Sequence, residues 1–243
     1  MEAFVKNYLA QMNKRFLYRA TWMPQRKMEV GQIGRFDNRK WTKEGSLADL
    51  GIEIHTSSHS VDGNMEFTSE GGVSIGTRLK GGSAQVLQHL ADANADVVVD
   101  FSKENAIVFK ANNVIHHQLD KKILLKDKIL ALWKEGRWDK DYLIVSEVFE
   151  AATTTIMVSS GSNAKIELNA TGDIGGKALD LADASLGFKV ANNKNIGVQV
   201  IAASKLTPLY NVIGIRKSLF GSADLVARSL EDVFVEVPFG EED

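Results

Sequence analysis

The sequence predicts an α+β protein built on a twisted, mainly antiparallel sheet flanked by helices. Three observations carry that expectation. Four runs alternate between apolar and polar residues, the period-2 signature of strands with one apolar face. Only three prolines occur, none between Pro24 and Pro208, so the long middle of the chain keeps every ladder donor. A few stretches instead repeat apolar residues every three to four positions, as helices do.

Residues 3–20 read as an amphipathic helix with Val5, Leu9, Met12 and Phe16 along one side, broken by Pro24 and the Gly31/Gly34 pair. The first alternating run sets Val73, Ile75 and Leu79 against Ser74, Gly76 and Arg78. The second sets Ala93, Ala95, Val97, Val99 and Phe101 against Asn94, Asp96 and Asp100, with Val98 the exception. A strand is expected over residues 105–110. A helix is expected over 115–135, with Ile115, Leu119, Ile123, Leu130 and Trp133 on one face and Gly136 as its stop. Residues 142–149 (YLIVSEVF) read as a buried strand.

In the third run, Ala164, Ile166, Leu168 and Ala170 oppose Lys165, Glu167, Asn169 and Thr171. The fourth sets Ala182, Ala184, Leu186, Phe188 and Val190 against Asp183, Ser185, Gly187 and Lys189. A strand over 208–215 and a last helix over 218–235 complete the chain, the helix carrying Leu219, Ala223, Val226, Leu230 and Val233. Pro238 and an acidic end follow.

Composition excludes several function classes. With 44% hydrophobic and 25% charged residues in 243, the chain has the makings of a globular core rather than a disordered or fibrous segment. No cysteine is present, which removes disulfides, thiolate nucleophiles, cysteine-based metal centres and S-acylated anchors. No run approaches the ~18 apolar residues of a membrane helix. The charged first twenty residues do not read as a secretory signal.

A net charge of −2 excludes a globally basic nucleic-acid binder but hides a polarity. Residues 1–43 hold ten basic and three acidic groups, a net of +7, while residues 220–243 hold one base and seven acids, a net of −6. Either both ends are solvated faces, or the front meets an anionic partner or the acidic end.

The alternating runs come as two pairs, and each has two readings. An ordinary sheet with one face on the core and one in water accounts for any single run. The same pattern suits strands with one side in lipid and the other in a water-filled lumen, which need about 9–11 residues per crossing. A lone hairpin in a bilayer leaves edge N–H and C=O groups unpaired at several kcal/mol each. Insertion therefore demands a ring of protomers.

Particular segments resemble the pore-forming domain of the gasdermins. These are MEAFVKNYLAQM at the start, GNMEFTSEGGVSI and NADVVVDF in the first paired region, and LALWKEGRWDKDYLIVSEVFEA in the centre. AKIELNATG and SLGFKVANNKNIGVQVIA follow in the second region. The likeness covers roughly residues 1–217. It implies a chain held inactive in the cytoplasm that, once triggered, binds acidic phospholipids at the cell membrane, assembles with itself or a related chain, and inserts two β-hairpins per protomer into a β-barrel pore.

The hairpins would use residues 65–79 with 93–108, and 153–170 with 182–200. Their lipid-facing side chains would be Val73, Ile75, Leu79, Val97, Val99, Phe101, Ile166, Leu168, Leu186, Phe188 and Val190. First contact with headgroups would fall to Lys6, Lys14, Arg15 and Arg19 on the first helix. The RFDNRKWTK loop would add Arg35, Phe36, Arg39, Lys40, Trp41 and Lys43.

The resemblance implies no cofactor, no catalytic step and no nucleic-acid partner. Its roles are programmed cell death, innate immunity or allorecognition, with a protease or an incompatible partner protein as trigger. Mammalian gasdermins continue into an inhibitory domain; the short fungal regulator-of-cell-death and bacterial forms match this length better, although bacterial forms usually carry an early cysteine. Residues 218–243 read as an acidic tail, with Leu219, Val226 and Leu230 as the apolar contacts of an autoinhibitory lid.

Gly72-Val73-Ser74-Ile75-Gly76 also matches the G-x-S-x-G nucleophile elbow, so a serine hydrolase using Ser74, with partners such as Asp96 and His116, stands as an alternative. A non-inserting soluble binding domain is a third reading. His55/His59 and His116/His117 have no carboxylate at metal-ligand spacing, and no phosphate loop, dinucleotide fingerprint or calcium loop is present.

Overall fold

A computed structural model describes residues 2–37, 40–79, 95–172, 179–217 and 223–228. Helix α1 (Ala3–Phe16) is followed by β1 (Arg19–Ala20), β2 (Gln32–Asp37), β3 (Lys40–Ser46), β4 (Thr56–Ser60), β5 (Met65–Thr68) and β6 (Val73–Leu79). Next come β7 (Ala95–Phe101), β8 (Ile107–Leu119), helix α2 (Lys122–Lys134), β9 (Leu143–Ser159) and β10 (Ala164–Asn169). The described chain ends with β11 (Lys189–Lys194), β12 (Ile196–Lys217) and β13 (Ala223–Ala227). Short 3-10 turns sit at Ala48–Leu50 and Ala184–Leu186. The α+β class with mainly antiparallel strands is as the sequence predicts. No helix among the described residues is long and apolar enough to cross a membrane.

The chain divides into two compact units. The first comprises Met1–Arg26, Ser60–Ile115 and Phe149–Pro208. It holds a four-stranded antiparallel sheet in the order β11-β10-β7-β6, and β5 antiparallel to β8. The sheet's apolar face buries Val97, Val99, Phe101, Ile166 and Leu168 against Ala106, Val108, Met157, Leu181 and Leu186. Helix α1 adds Val5, Tyr8, Leu9 and Met12 as its buried stripe, the expected 3–4 spacing with Tyr8 added.

The second unit comprises Lys27–His59, His116–Val148 and Leu209–Asp243. In it β2 pairs with β3 and, through Ile33↔Ile144 and Gly34↔Leu143, with β9. One core gathers Ile33, Leu47, Leu125, Ile129, Trp138 and Ile144, and another gathers Met28, Trp41, Val145 and Tyr210.

Four expectations are corrected. The first helix stops at Phe16 because Leu17 turns left-handed (φ 63°), so Arg19 belongs to β1 rather than to the helix. The second helix starts at Lys122, and residues 115–119, including the histidine pair, are the end of β8. Apolar residues four apart fit either period, and the left-handed Lys121 (φ 49°) turns the chain from strand to helix only after Leu119.

The fourth alternating run is not one strand. Asp183 accepts a hydrogen bond from the Ser185 N–H and starts the 3-10 turn that carries Leu186 into the core, so β11 begins only at Lys189. The last predicted helix is overturned at Ala223–Ala227, which forms β13 antiparallel to Ile213–Lys217 of β12. Leu225 there joins the core of the second unit, which a strand partner secures and a free helix would not. Leu219 and Leu230 lie outside the described residues. Val226 is half-buried, opposite Gly214.

Candidate membrane-inserting ribbons

Two pairs of strands in the first unit continue across short bends into two further pairs. In ribbon one, β5 runs through residues 69–72 into β6, and β7 runs through residues 102–106 into β8. On one side of these bends β5 pairs with β8, as in Phe67↔Phe109. On the other side β6 pairs with β7, as in Ile75↔Val99. In ribbon two, β9 runs through residues 160–163 into β10, and β11 runs through Asn195 into β12. Here β10 pairs with β11, and β9 with β12. Each ribbon is thus already zipped in hairpin order on both sides of its bends.

Alternating apolar residues occur on both sides of the bends, with breaks in the alternation. In ribbon one the odd residues Met65, Phe67, Val73, Ile75, Val97, Val99, Phe101, Ile107 and Phe109 are apolar, while the even Val98, Ala106 and Val108 are buried as well. In ribbon two the even residues Ile156, Val158, Ala164, Ile166, Leu168, Val190, Ile196, Val198 and Val200 are apolar, but odd Met157 shares the core. A bulge at Glu167/Leu168 also shifts the register, setting Val190 opposite Leu168 and Asn193 opposite Ile166. The two ribbons meet where β7 pairs with β10, which aligns Val97, Val99 and Phe101 with Leu168, Ile166 and Ala164. The opposite face of that sheet presents exposed Ser74 and Asp100 with the Lys165–Glu167 ion pair at 2.7 Å.

A left-handed residue marks every bend: Gly71 (φ 57°), Asn105 (φ 61°), Asn163 (φ 53°) and Asn195 (φ 53°). Glycine has no Cβ to clash there, and asparagine is the L residue that most readily adopts this conformation. Asn113, Ala202 and Lys205 have the same hand but lie inside β8 and β12, where they mark local irregularities rather than bends.

The arm of ribbon two between β10 and β11 is tethered. Asp180 accepts hydrogen bonds from Asn112 Nδ2 (2.6 Å) and the Ala182 N–H (2.8 Å) and pairs with Lys110 (3.4 Å), which also reaches Glu66 (3.6 Å). Thr155 Oγ1 donates to the Leu181 carbonyl at 2.6 Å and accepts from the Ala202 N–H at 2.8 Å. This tether, absent from the sequence reading, holds residues 180–186 off the strand geometry that their alternation encodes.

The predicted headgroup contacts divide by position. Lys6, Lys14 and Arg15 are exposed on α1. Arg19 is only 3% exposed. On the β2–β3 hairpin, Lys40 and Lys43 are exposed, while Arg35 pairs with Glu44 at 3.0 Å. Trp41 is also only 3% exposed, packed edge-on against Phe36 and Tyr210. Arg39 lies outside the described residues. Among the predicted lipid-facing side chains, Val73 and Phe188 are half-buried, Ile75 and Val190 are exposed, and nothing is described of the Leu79 side chain.

Ser74 lies inside β6 with Asp100 as its cross-strand neighbour, and the strand continues through Gly76 to Leu79. The sharp strand-to-helix turn that a nucleophile elbow requires is therefore not formed. In the second unit, His116 Nδ1 is 3.2 Å from His59 Nε2, and its Nε2 is 3.2 Å from Glu147, which also pairs with Lys122 at 3.4 Å. Burial holds the His116 imidazole below the ordinary histidine range despite the opposing pull of Glu147. Among the described residues no cluster of three or more His, Asp or Glu side chains has metal-binding geometry.

The residues thus define an α+β protein with two zipped, bent amphipathic ribbons in its first unit. No family model matches the sequence, and no curated protein matches it at a significant level. Among solved structures the chain is similar to the gasdermin A3 membrane pore seen by cryo-EM, at 12% identity and a TM-score of 0.39 over 93% of this chain and 95% of that one. It is also similar to a bacterial gasdermin from Bradyrhizobium tropiciagri, at 14% identity and a TM-score of 0.35 over 91% and 90% of the two chains.

Proposed function

We propose that this chain is a gasdermin-like pore former without a catalytic step. It rests in soluble form, binds acidic phospholipid surfaces, assembles with copies of itself or a related chain, and inserts ribbons one and two as membrane hairpins. The observation that carries the reading is the hairpin-order pairing on both sides of every bend. Straightening the bends gives arms of residues 65–79 and 153–169, longer than the roughly 9–11 residues a membrane strand needs. No strand has to find a new partner within its ribbon.

The energetics favour a ring over a single insertion. Most of the side chains offered to lipid, among them Val97, Val99, Phe101, Ile166 and Leu168, are now buried in the core of the first unit, so for them the transfer exchanges one apolar environment for another. The open edges of the ribbons are what lipid penalises, and neighbouring protomers that pair those edges remove the cost. Lys6, Lys14 and Arg15 on α1, with Lys40 and Lys43, supply the attraction to anionic headgroups, at ~1 kcal/mol per cation near the surface.

Within this reading residues 1–217 act as the pore-forming part. The tail from residue 218 restrains it until a protease or a partner protein acts, and the protein passes from cytoplasm to cell membrane, where the pore kills the cell. The test is dye release from anionic and neutral vesicles, with and without residues 218–243, together with electron microscopy of the vesicles. Release confined to anionic vesicles, with ring assemblies, supports the proposal. Intact anionic vesicles under every activating treatment overturn it and favour a domain whose strands stay in the sheet.

A further inference from the structure

We propose that α1 is the catch that holds the bends of both ribbons closed, an inference about regulation that rests on the ribbon-straightening reading above. The helix touches each ribbon at the level of its bend. Its Asn7 Nδ2 donates a 2.9 Å hydrogen bond to the carbonyl of Asn105, the left-handed residue of ribbon one. One turn earlier, the Phe4 ring lies on Gly197, two residues past the left-handed Asn195 of ribbon two. A Cβ at Gly197 would come within 2.8 Å of that ring.

The two bends are themselves pinned together by Ser159, which has no exposed surface. Its carbonyl accepts from the Asn105 N–H (3.1 Å), and its own N–H donates to the Ala106 carbonyl (3.0 Å). Its Oγ accepts from the Ala106 N–H and donates to the Lys103 carbonyl, both at 2.8 Å. The next residue, Ser160, donates its N–H to the Asn195 carbonyl at 2.8 Å. Helix, first bend and second bend therefore form one hydrogen-bonded and packed unit. Straightening Asn105 into a strand breaks the Asn7 bond, and straightening Asn195 slides Gly197 under Phe4.

The consequence is a coupling between membrane contact and opening. The exposed Lys6, Lys14 and Arg15 lie on the same helix as Phe4 and Asn7, so a surface that draws the cations away draws the catch with them. A bend that has lost its contact with the helix keeps the Ser159 and Ser160 bonds but has one fewer restraint. Loss of one such hydrogen bond shifts a local opening equilibrium by about tenfold.

Amide hydrogen exchange on the full chain tests this, because the N–H groups of Asn105, Ala106 and Ser160 report the bends directly. Asn7→Ala is expected to speed exchange at Asn105 and Ala106 about tenfold, and Gly197→Ala to do so at Ser160, with β2 and β3 unchanged. Asn105→Gly, which keeps the left-handed bend and the carbonyl, leaves the rates near those of the parent. If either substitution disturbs the whole fold, exchange in β2 and β3 rises too, and the other substitution decides. Unchanged exchange at the bends in both overturns the catch.

Leakage from anionic vesicles, run alongside, separates this inference from the one it rests on. Loosened bends with no leakage from any variant, parent included, under every activating treatment support the catch and overturn the pore. Leakage from the parent with unmoved bend exchange in Asn7→Ala and Gly197→Ala overturns the catch and leaves the pore standing.

Discussion

Ile75 and Ile166 lie on the same face of the first unit's sheet, yet they have opposite surroundings. Ile75 pairs with Val99, which pairs with Ile166, so all three side chains project the same way. Ile166 has no exposed surface, whereas Ile75, on the outer strand β6, is 40% exposed. Ile75→Lys should therefore cost the soluble fold about 1 kcal/mol or less, because the lysine stem can lie where the isoleucine lay while its ammonium reaches water. In a bilayer the same lysine on the lipid side costs about 2–4 kcal/mol per protomer near the midplane.

That difference converts to a rise of about 30-fold to several-hundred-fold in the protein concentration needed for half-maximal dye release. Ser74→Lys is the paired control, one residue away on the opposite face, where a charge meets water in either state. Ile166→Ala completes the set. It should lower folding stability by about 2–5 kcal/mol through a core cavity. Urea melts measure the stability term and anionic vesicles the insertion term. Leakage that survives Ile75→Lys, or fails equally with Ser74→Lys, refutes the assignment of faces.

Three further predictions follow from the same geometry. Asp180→Ala removes the acceptor for Asn112 and Ala182 and the partner of Lys110, so stability should fall by about 1–3 kcal/mol while the lag before vesicle leakage shortens; a longer lag contradicts the tether. Converting Lys6, Lys14 and Arg15 together to Gln should weaken binding to acidic vesicles about a hundredfold at low salt, with a smaller loss at high salt, as sedimentation would show. Arg19→Gln should instead lower the melting temperature, since that side chain is buried.

Stability also depends on pH through His116. The folded state holds His116 below its ordinary value of 6.5, so below that pH the unfolded chain binds more protons than the folded one. Stability is therefore full above about pH 6.5 and falls as the pH drops towards the folded value. Measured by urea midpoints between pH 7.5 and 5, the slope should flatten in His116→Gln; an unchanged slope assigns the effect to another group.

Much of the fold was legible because period 2 is a strong signal. The runs around Ile75, Val99 and Ile166 were found with their correct faces, and α1 was found from Val5, Leu9 and Met12. What escaped notice was decided by contacts distant in sequence. Leu186 alternates as a strand residue should, but Asp183 capping and the hold of Asn112 and Lys110 on Asp180 wind its neighbourhood into a turn. Ile115 and Leu119, four apart, fit helix and strand alike, and only pairing resolves them. Trp41 among cations suits an interface, yet Tyr210, far along the chain, supplies a core for it.

The bends left a faint trace. Asn105, Asn163 and Asn195 each stand immediately before an apolar strand-starting pair or residue, Ala106-Ile107, Ala164 and Ile196. An asparagine at the seam between two alternating stretches is the local sign of a left-handed joint. Asn7 and Ser159 carry no such sign, because their roles come from partners about a hundred and about fifty residues away.

The central claim is that one side of each ribbon exchanges core for lipid while the other stays wet. The absence of native cysteine makes a single-cysteine scan across β10 the most direct test, with an environment-sensitive dye attached in turn at residues 164–169 and the protein bound to anionic vesicles. The account predicts quenching by a lipid-borne nitroxide at 164, 166 and 168, and by aqueous iodide at 165, 167 and 169. Uniform aqueous quenching at all six positions, or no alternation between them, would contradict it.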